Sequence, residues 1–379
     1  MTWHDCKLGD VLTLKRGHDL PSDSRLDGDV PVVSSSGITG YHIEAKAQAP
    51  GVVTGRYGTI GEVFYLDRDY WPLNTALYVI DFKGTHPKFA SYLLRNVLRN
   101  YQSDKAAVPG VDRNVLHQIT VRAHDRIAQE RIASILSGYD DLIDNNRRRM
   151  ALLEESARHL YQEWFVRLRF PGHEHTRIVN GVPSDWEARP LGACAKFLSG
   201  GTPSKARVDF WEGDIPWVSS GEMTIQRLHD VSLHVTPQAV EAGSRLVPPN
   251  TILAVVRGMS LAKEFRVCIT TRPTAFNQDL KALITNPGID PVYLFNSLLN
   301  QREQIRDRAT EASHGTKKLD TPVLAGVSIL VPPQTCQSRF REFVDPMNTQ
   351  WDNLHQQAEK LKVARDLLLP RLMSGELAV

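Results

Sequence analysis

Cysteine is scarce: Cys6, Cys194, Cys268 and Cys336 lie far apart and form no C-x-x-C pair. Such spacing excludes a disulfide-dense secreted scaffold and argues against a zinc site. An excess of one charge is missing too. The 45 Lys and Arg face 43 Asp and Glu, a formal net charge of +2, so a nucleic-acid reading must rest on local features. No apolar run approaches the roughly 20 residues a membrane span needs. Met1-Thr2-Trp3-His4-Asp5 carries neither a basic n-region nor an apolar h-region. The expectation is a cytoplasmic protein in a reducing compartment.

Catalytic signatures are also absent. There is no G-x-x-x-x-G-K-[ST] loop, no G-x-G-x-x-G after a strand, no H-E-x-x-H and no G-x-S-x-G. Val247-Pro248-Pro249-Asn250 and Val331-Pro332-Pro333-Gln334 resemble, reversed, the Asn-Pro-Pro-aromatic motif of amino-methyltransferases. The order is wrong and the aromatic is missing. They read as strand-to-loop punctuation, the second as a helix start. His173 and His175 sit in a linker-like stretch with no partner cluster for a metal. The reading is a non-catalytic chain with no metal or cofactor of its own.

What is present is a repeat. Trp3-x-x-x-x-Leu8-Gly9 recurs as Trp186-x-x-x-x-Leu191-Gly192, and Gly28-Asp29-Val30-Pro31-Val32-Val33-Ser34-Ser35 as Gly213-Asp214-Ile215-Pro216-Trp217-Val218-Ser219-Ser220. Val111-Asp112, then Val115-Leu116, recurs as Leu319-Asp320, then Val323-Leu324. Three matches in one order imply a duplication. Each half then reads as short strands between Gly and Pro breaks. Strand candidates are Val30 to Val33, Gly51 to Val53, Glu62 to Leu66, Ala76 to Ile80 and Thr251 to Val256. Gly55 to Gly61 reads as a tight glycine-rich turn, and short amphipathic helices are expected over 86–101 and 291–308.

Each half ends in a long helical stripe. Ile132, Leu136, Tyr139, Ile143, Asn146, Met150, Leu153, Ala157, Leu160 and Trp164 alternate at spacings of four and three. Phe340, Val344, Met347, Trp351, Leu354, Ala358, Leu361, Arg365, Leu368 and Leu372 do the same, every position shifted by 208. A sustained 4-3 pattern with charged flanks indicates a coiled-coil seam, with Asn146 and Arg365 as its polar members. Antiparallel pairing suits a tandem duplication. Phe170-Pro171-Gly172 is expected to break the first helix. The fold class is therefore α+β: two duplicated mixed domains over 1–125 and 171–333, with long helices over 126–170 and 334–379.

At this point a family resemblance carries weight. Ile127-Ala128-Gln129-Glu130-Arg131-Ile132-Ala133-Ser134-Ile135-Leu136, Leu160-Tyr161-Gln162-Glu163-Trp164-Phe165-Val166 and Leu367-Leu368-Leu369-Pro370-Arg371-Leu372-Met373-Ser374-Gly375-Glu376-Leu377 resemble the helical regions of Type I restriction–modification specificity subunits. The resemblance implies that each globular half reads one half of an asymmetric, bipartite site on double-stranded DNA, with the helices setting the spacing. It also implies docking of two modification subunits, which carry S-adenosylmethionine and methylate adenine. Two ATP- and Mg-dependent restriction subunits would join for cleavage.

On that reading the DNA-facing candidates lie in loops. Arg56, Tyr57 and Thr59 occupy the first glycine-rich turn, with Arg257, Met259 and Ser260 as counterparts. Arginine can pair bidentately with guanine; a plain exposed hairpin arginine is the alternative. Ser34, Ser35, Ser36, Ser219 and Ser220 could bond phosphates or bases, or cap strand ends. Asn74, Asn277 and Gln278 precede matching strands, and amides suit adenine, although Asn also forms turns. Lys105, Arg113, His314, Thr316, Lys317 and Lys318 flank the repeated aspartates, and Lys317-Lys318 is the basic pair expected to hold phosphate. Arg147-Arg148-Arg149 is assigned to solvent or to the modification subunit. The competing readings are a protein-binding coiled-coil scaffold, a stand-alone methyltransferase or nuclease, and the specificity subunit of a related multi-subunit methylation system.

Overall fold

A computed structural model describes residues 3–57, 61–99, 101, 110–312 and 315–379; Thr59, Lys105 and His314 lie outside them. The chain divides into two compact units. The first joins Met1–Arg147 to Gln356–Val379, and the second is Arg148–His355. The division cuts across both long helices, each of which contributes one end to each unit.

In the first unit a four-stranded antiparallel sheet runs Thr13–Arg16, Ala76–Asp81, Gly51–Gly55, Val63–Leu66. A three-stranded sheet carries Gly37–His42, Val30–Ser34 and Trp71–Pro72. Trp3–Lys7 pairs with Thr120–His124 just before the first long helix. The second unit repeats this plan with additions. Ala195–Ser199, Leu280–Thr285, Ile252–Val255 and Val267–Thr270 follow the same order, and a fifth strand, Arg227–Leu228, lies parallel against Val267–Thr270. Glu187–Pro190 with Ser328–Val331 repeats the pair that leads into the helix.

The repeated glycines have a steric cause. A Cβ on Gly28 would lie 2.5 Å from the His42 carbonyl oxygen, and one on Gly213 only 2.1 Å from that of Val235. Backbone passes backbone at both places. Gly213→Ala is expected to destabilise the second unit by about 1–3 kcal/mol, measured as a lowered midpoint of thermal unfolding; an unchanged midpoint would remove this explanation of the repeat.

The short helix of the first half spans Pro87–Arg99. That of the second half is two pieces, Pro291–Asn300 and Arg302–Arg306, rather than one run to Arg308. Asp290 starts it, accepting from the Val292 and Tyr293 amides at 2.8 and 3.1 Å, with Pro291 at a position that needs no donor.

The long helices are Arg126–Tyr161 and Gln334–Met373. The first continues as a π-turn over Gln162–Val166. It stops there, with Leu168 in the left-handed region, ahead of the expected break at Phe170-Pro171-Gly172. Within each unit the two helices run antiparallel. In the first, Arg365 reaches Asp140 at 2.5 Å while Ile132 and Leu136 share a core cluster with Leu369, Leu372 and Met373. In the second, the Trp351 indole donates to Glu154 at 2.9 Å while Trp164 meets Phe340 at 6.0 Å between ring centroids.

The stripe Ile132, Leu136, Ile143, Asn146, Ala157 and Trp164 is buried, as are Phe340, Val344, Trp351, Leu354, Ala358 and Leu372. Tyr139, Met150, Leu153, Leu160, Met347, Leu361, Arg365 and Leu368 are half-buried. Arg365 is not an unpaired seam residue, since Asp140 and Asp366 both hold its guanidinium. Arg147, Arg148 and Arg149 are all exposed. Among the described residues no helix is long and apolar enough to cross a membrane.

Candidate nucleic-acid interface

In the second unit, three short strands bring distant residues to one place. Arg257–Gly258 pairs with Lys317–Lys318, which pairs with Thr310–Glu311. Side chains on a strand alternate between faces. Arg257, Lys318 and Thr310 therefore stand opposite one another on one face, and Gly258, Lys317 and Glu311 on the other. The Lys317-Lys318 pair is split. Lys318 forms an ion pair with Asp320 at 3.3 Å, whereas Arg257 is exposed.

Gly258 sits at φ 141°, a backbone setting that disfavours any side chain. A Cβ there would lie 3.8 Å from the Ser220 Oγ and 3.9 Å from that of Ser260. Ser220, Ser260 and Lys317 thus gather on one face around the bare Gly258 backbone, with Arg257 on the other face. Exposed Met259 adjoins it. The Thr316 carbonyl accepts from the Ala312 amide, which closes the loop ahead of Lys317.

In the first unit, Arg56, Tyr57 and Arg113 line a cavity of about 430 Å³ with Arg16 and Tyr101. The Arg56 guanidinium lies 4.6 Å from the Tyr57 ring centroid, a cation–π contact. Tyr57 bridges to Gly110. Arg113 opens a short helix capped by Asp112, whose side chain accepts from the Asn114 amide. Arg16 and Tyr101 were not among the sequence candidates. Arg16 ends a strand just before Gly17, and only the pairing that brings its Nε to the Asn74 carbonyl, 3.3 Å away, gives it a place here.

Backbone bonding corrects the expected correspondence between the two sites. Val111 donates to the Arg56 carbonyl and Leu319 to that of Val256, each at 2.8 Å. Arg56 also donates to Thr75, as Val256 does to Asp279. Arg56 therefore matches Val256, and Tyr57 matches Arg257, one residue away from the alignment read off the glycines.

Other candidates are absorbed into turns. Ser34 is buried, and its hydroxyl bonds the Ser36 amide and the Gly37 carbonyl within the hairpin. Ser36 bonds back to it, while Ser35 is half-buried at the turn. Asn277 is buried in its own turn, accepting from the Asp279 amide at 3.1 Å. Both follow the turn alternative. Asn74 is held by Asp19. Gln278 is exposed and accepts from Thr202 at 2.7 Å. Ser219 accepts through its carbonyl from the Glu222 amide.

The cysteines have no activating environment. Burial raises all four thiols above their ordinary value, Cys336 to about 11 and Cys268 to about 12, so each stays protonated at neutral pH. Among the described residues no group of three or more His, Cys, Asp or Glu could hold a metal.

Each unit thus carries its own loop-built cluster: arginine and tyrosine in the first, arginine, lysine and hydroxyl groups in the second. Comparison with known proteins gives the class. Residues 1–155 and 183–363 match the Type I restriction modification DNA specificity domain, and the chain belongs to that family. It is 28% identical over 218 residues to the EcoR124I/EcoR124II specificity subunit of Escherichia coli, a match spanning 54% of each chain. It is 26% identical over 316 residues to the MjaIX specificity subunit of Methanocaldococcus jannaschii, covering 79% of this chain and 71% of that one. The HindI specificity subunit of Haemophilus influenzae is 21% identical, over 97% and 93% of the two chains. In fold, the chain resembles the S subunit of a Type I system from M. genitalium, with a TM-score of 0.59 at 16% identity over 98% and 96% of the chains.

Proposed function

We propose that this chain is the DNA-reading subunit of a Type I restriction–modification assembly, with each unit reading one half of an asymmetric bipartite site. The observation that carries this is the short strand at Arg257–Gly258, which exposes Arg257 on one face and gathers Lys317, Ser220 and Ser260 around Gly258 on the other. Arginine can take a guanine edge, lysine and hydroxyls can take phosphates, and a bare glycine backbone permits close approach. The first unit offers Arg16, Arg56, Tyr57 and Arg113 in the corresponding place. The sites differ residue for residue, so the half-sites differ in sequence.

The long helices set the spacing and dock two modification subunits. The methyl donor S-adenosylmethionine and the adenine-methylating chemistry belong to those partners, and ATP-dependent cleavage to two restriction subunits. The protein–DNA complex works in the cytoplasm.

Base-modification sequencing of DNA from cells co-expressing the chain with its modification subunit tests this. The expected result is one methylated, asymmetric motif with a fixed gap. Inserting four residues into each helix, after Arg148 and after Gln357, lengthens each by about 6 Å. That should change the gap while leaving both half-sites unaltered. A change of half-site identity would refute the helices as spacers, and no modified motif at all would favour a protein-binding scaffold.

A further inference from the structure

The two units differ beside the outermost strand of their larger sheet. In the second, Arg227–Leu228 covers Val267–Thr270, the Ile269 amide donating to Gln226 at 2.8 Å and the Thr271 amide to Leu228 at 3.0 Å. This strand fills the space between sheet and helices. It divides that space into a remnant of about 30 Å³ and an open recess of about 510 Å³. In the first unit the matching strand is Val63–Leu66, paired with Gly51–Gly55 as Val267–Thr270 is with Ile252–Val255. Among the described residues no strand covers its outer edge. An undivided cavity of about 790 Å³ stands there, walled by that edge, the short helix and both long helices.

The helix wall keeps one acid, Asp144 at the position of Asp352 shifted by 208, and exchanges the other for a base. The second unit meets its covering strand with acids: Asp352 takes Arg227 and His229, and Glu154 takes Gln226. Shifted by 208, the position of Glu154 is Lys362. Arg95, Arg99, Arg147, Lys362 and Arg365 all line the first unit's cavity. Three of the facing acids are already engaged: Asp140 by Arg365 and Tyr92, Asp366 by Arg365, and Asp144 by Arg147; Glu62 also lines the cavity. Arg99 donates to the Asp366 backbone carbonyl at 2.7 Å. The Arg95 Nη1 is buried without a hydrogen bond, 3.6 Å from Asp140.

We propose that this cavity is a strand-addition groove, taking an extended, carboxylate-bearing segment of a partner protein along the edge of Val63–Leu66. Backbone bonds to the edge beyond the Val63 carbonyl, which Arg95 holds at 3.4 Å, supply affinity, and Arg99, with Lys362 drawn from its 3.9 Å pair with Glu359, selects acidic side chains. The second unit supplies its own strand in the corresponding place and needs no partner there. The proposal stands apart from DNA reading, because the groove uses none of the residues assigned to DNA.

The test uses the full chain and a labelled peptide, Thr-Ile-Gln-Glu-Leu-Glu-Asp-Val. This is residues 224–231 with glutamate in place of Arg227 and His229, which bond Asp352. Fluorescence anisotropy should show saturable binding, and hydrogen exchange should show protection confined to Val63–Leu66. The peptide with its native arginine and histidine should bind about tenfold more weakly. Arg99→Glu, on an exposed position, and separately Lys362→Glu should each weaken the acidic peptide about tenfold. Proline at the central leucine should abolish binding, since it removes an edge donor. Three results would overturn the proposal: no binding at millimolar peptide, equal binding of the proline peptide, or single-stranded DNA competing fully without protecting the strand. The last would make the cavity a simple polyanion site.

Discussion

Asp352→Ala is expected to destabilise the second unit by about 3 kcal/mol, because it strands the half-buried Arg227 guanidinium and takes the hydrogen-bond partner of His229. The Arg227 guanidinium bonds both Asp352 oxygens, at 2.7 and 2.6 Å, and the His229 Nε2 lies 2.8 Å from one of them. The side chains of Arg227, His229 and Asp352 are 15%, 18% and 22% exposed. His229 in turn stacks on Trp351, 5.9 Å between centroids and 11° between planes, and on His355. Trp351 is buried and held by Glu154. The carboxylate therefore ties a strand of the sheet to the helix in front of it. A loss of that size lowers the unfolding midpoint by roughly 6–12 °C for a unit this large.

Asp352→Leu combined with Arg227→Met should cost much less than Asp352→Ala alone, because the pair is removed together and no guanidinium is left unpaired. Equal losses from the single and double variants would mean that packing, not charge, is what Asp352 supplies. The pH dependence follows in sign. Burial pushes the Asp352 carboxyl up, but the hydrogen bonds from Arg227 and His229 outweigh it, so the folded group titrates below its ordinary value. Its contribution is then fully present above about pH 4, where the unfolded carboxyl is ionised. It is lost as pH falls through the folded value. Asp352→Asn should unfold with a shallower acid dependence than the parent below about pH 4.

Periodic features were legible in the sequence because they are local. A 4-3 stripe needs only one helix to be recognised, and all twenty stripe positions are buried or half-buried. The paired Gly28 and Gly213 were legible as a repeat, though their cause, a carbonyl of a separate strand, was not. Long-range pairing was hidden. That Tyr57 rather than Arg56 corresponds to Arg257 depends on which carbonyl Val111 and Leu319 find. The salt bridge that occupies Arg365 comes from Asp140, 225 positions away. Lys317-Lys318 looked like one basic feature because sequence adjacency conceals the alternation of a strand. Ser34 and Asn277 were ambiguous for another reason. Short polar side chains serve turns and ligands with the same atoms, and only burial separates the two.

The same strand alternation sharpens what the second unit's site should do. Arg257 is exposed on one face, and Lys317 lies on the other with Ser220 and Ser260 around Gly258. Arginine's fork is suited to a base edge and lysine's point charge to a phosphate. Arg257→Ala is therefore expected to weaken specific binding of the assembled complex about tenfold to a hundredfold, the range of a lost bidentate base contact. Methylation should then tolerate any base at one position in one half of the motif, with the other half unaffected. Lys317→Ala should weaken all sequences alike and reduce the salt dependence of binding by about one ion. The two variants separate cleanly when affinity is measured against salt on the cognate site and on single-base variants of it. A uniform loss for Arg257→Ala, with a reduced salt slope, would make it a phosphate contact. Base reading in the second unit would then have to come from the opposite face, where Ser220 and Ser260 stand.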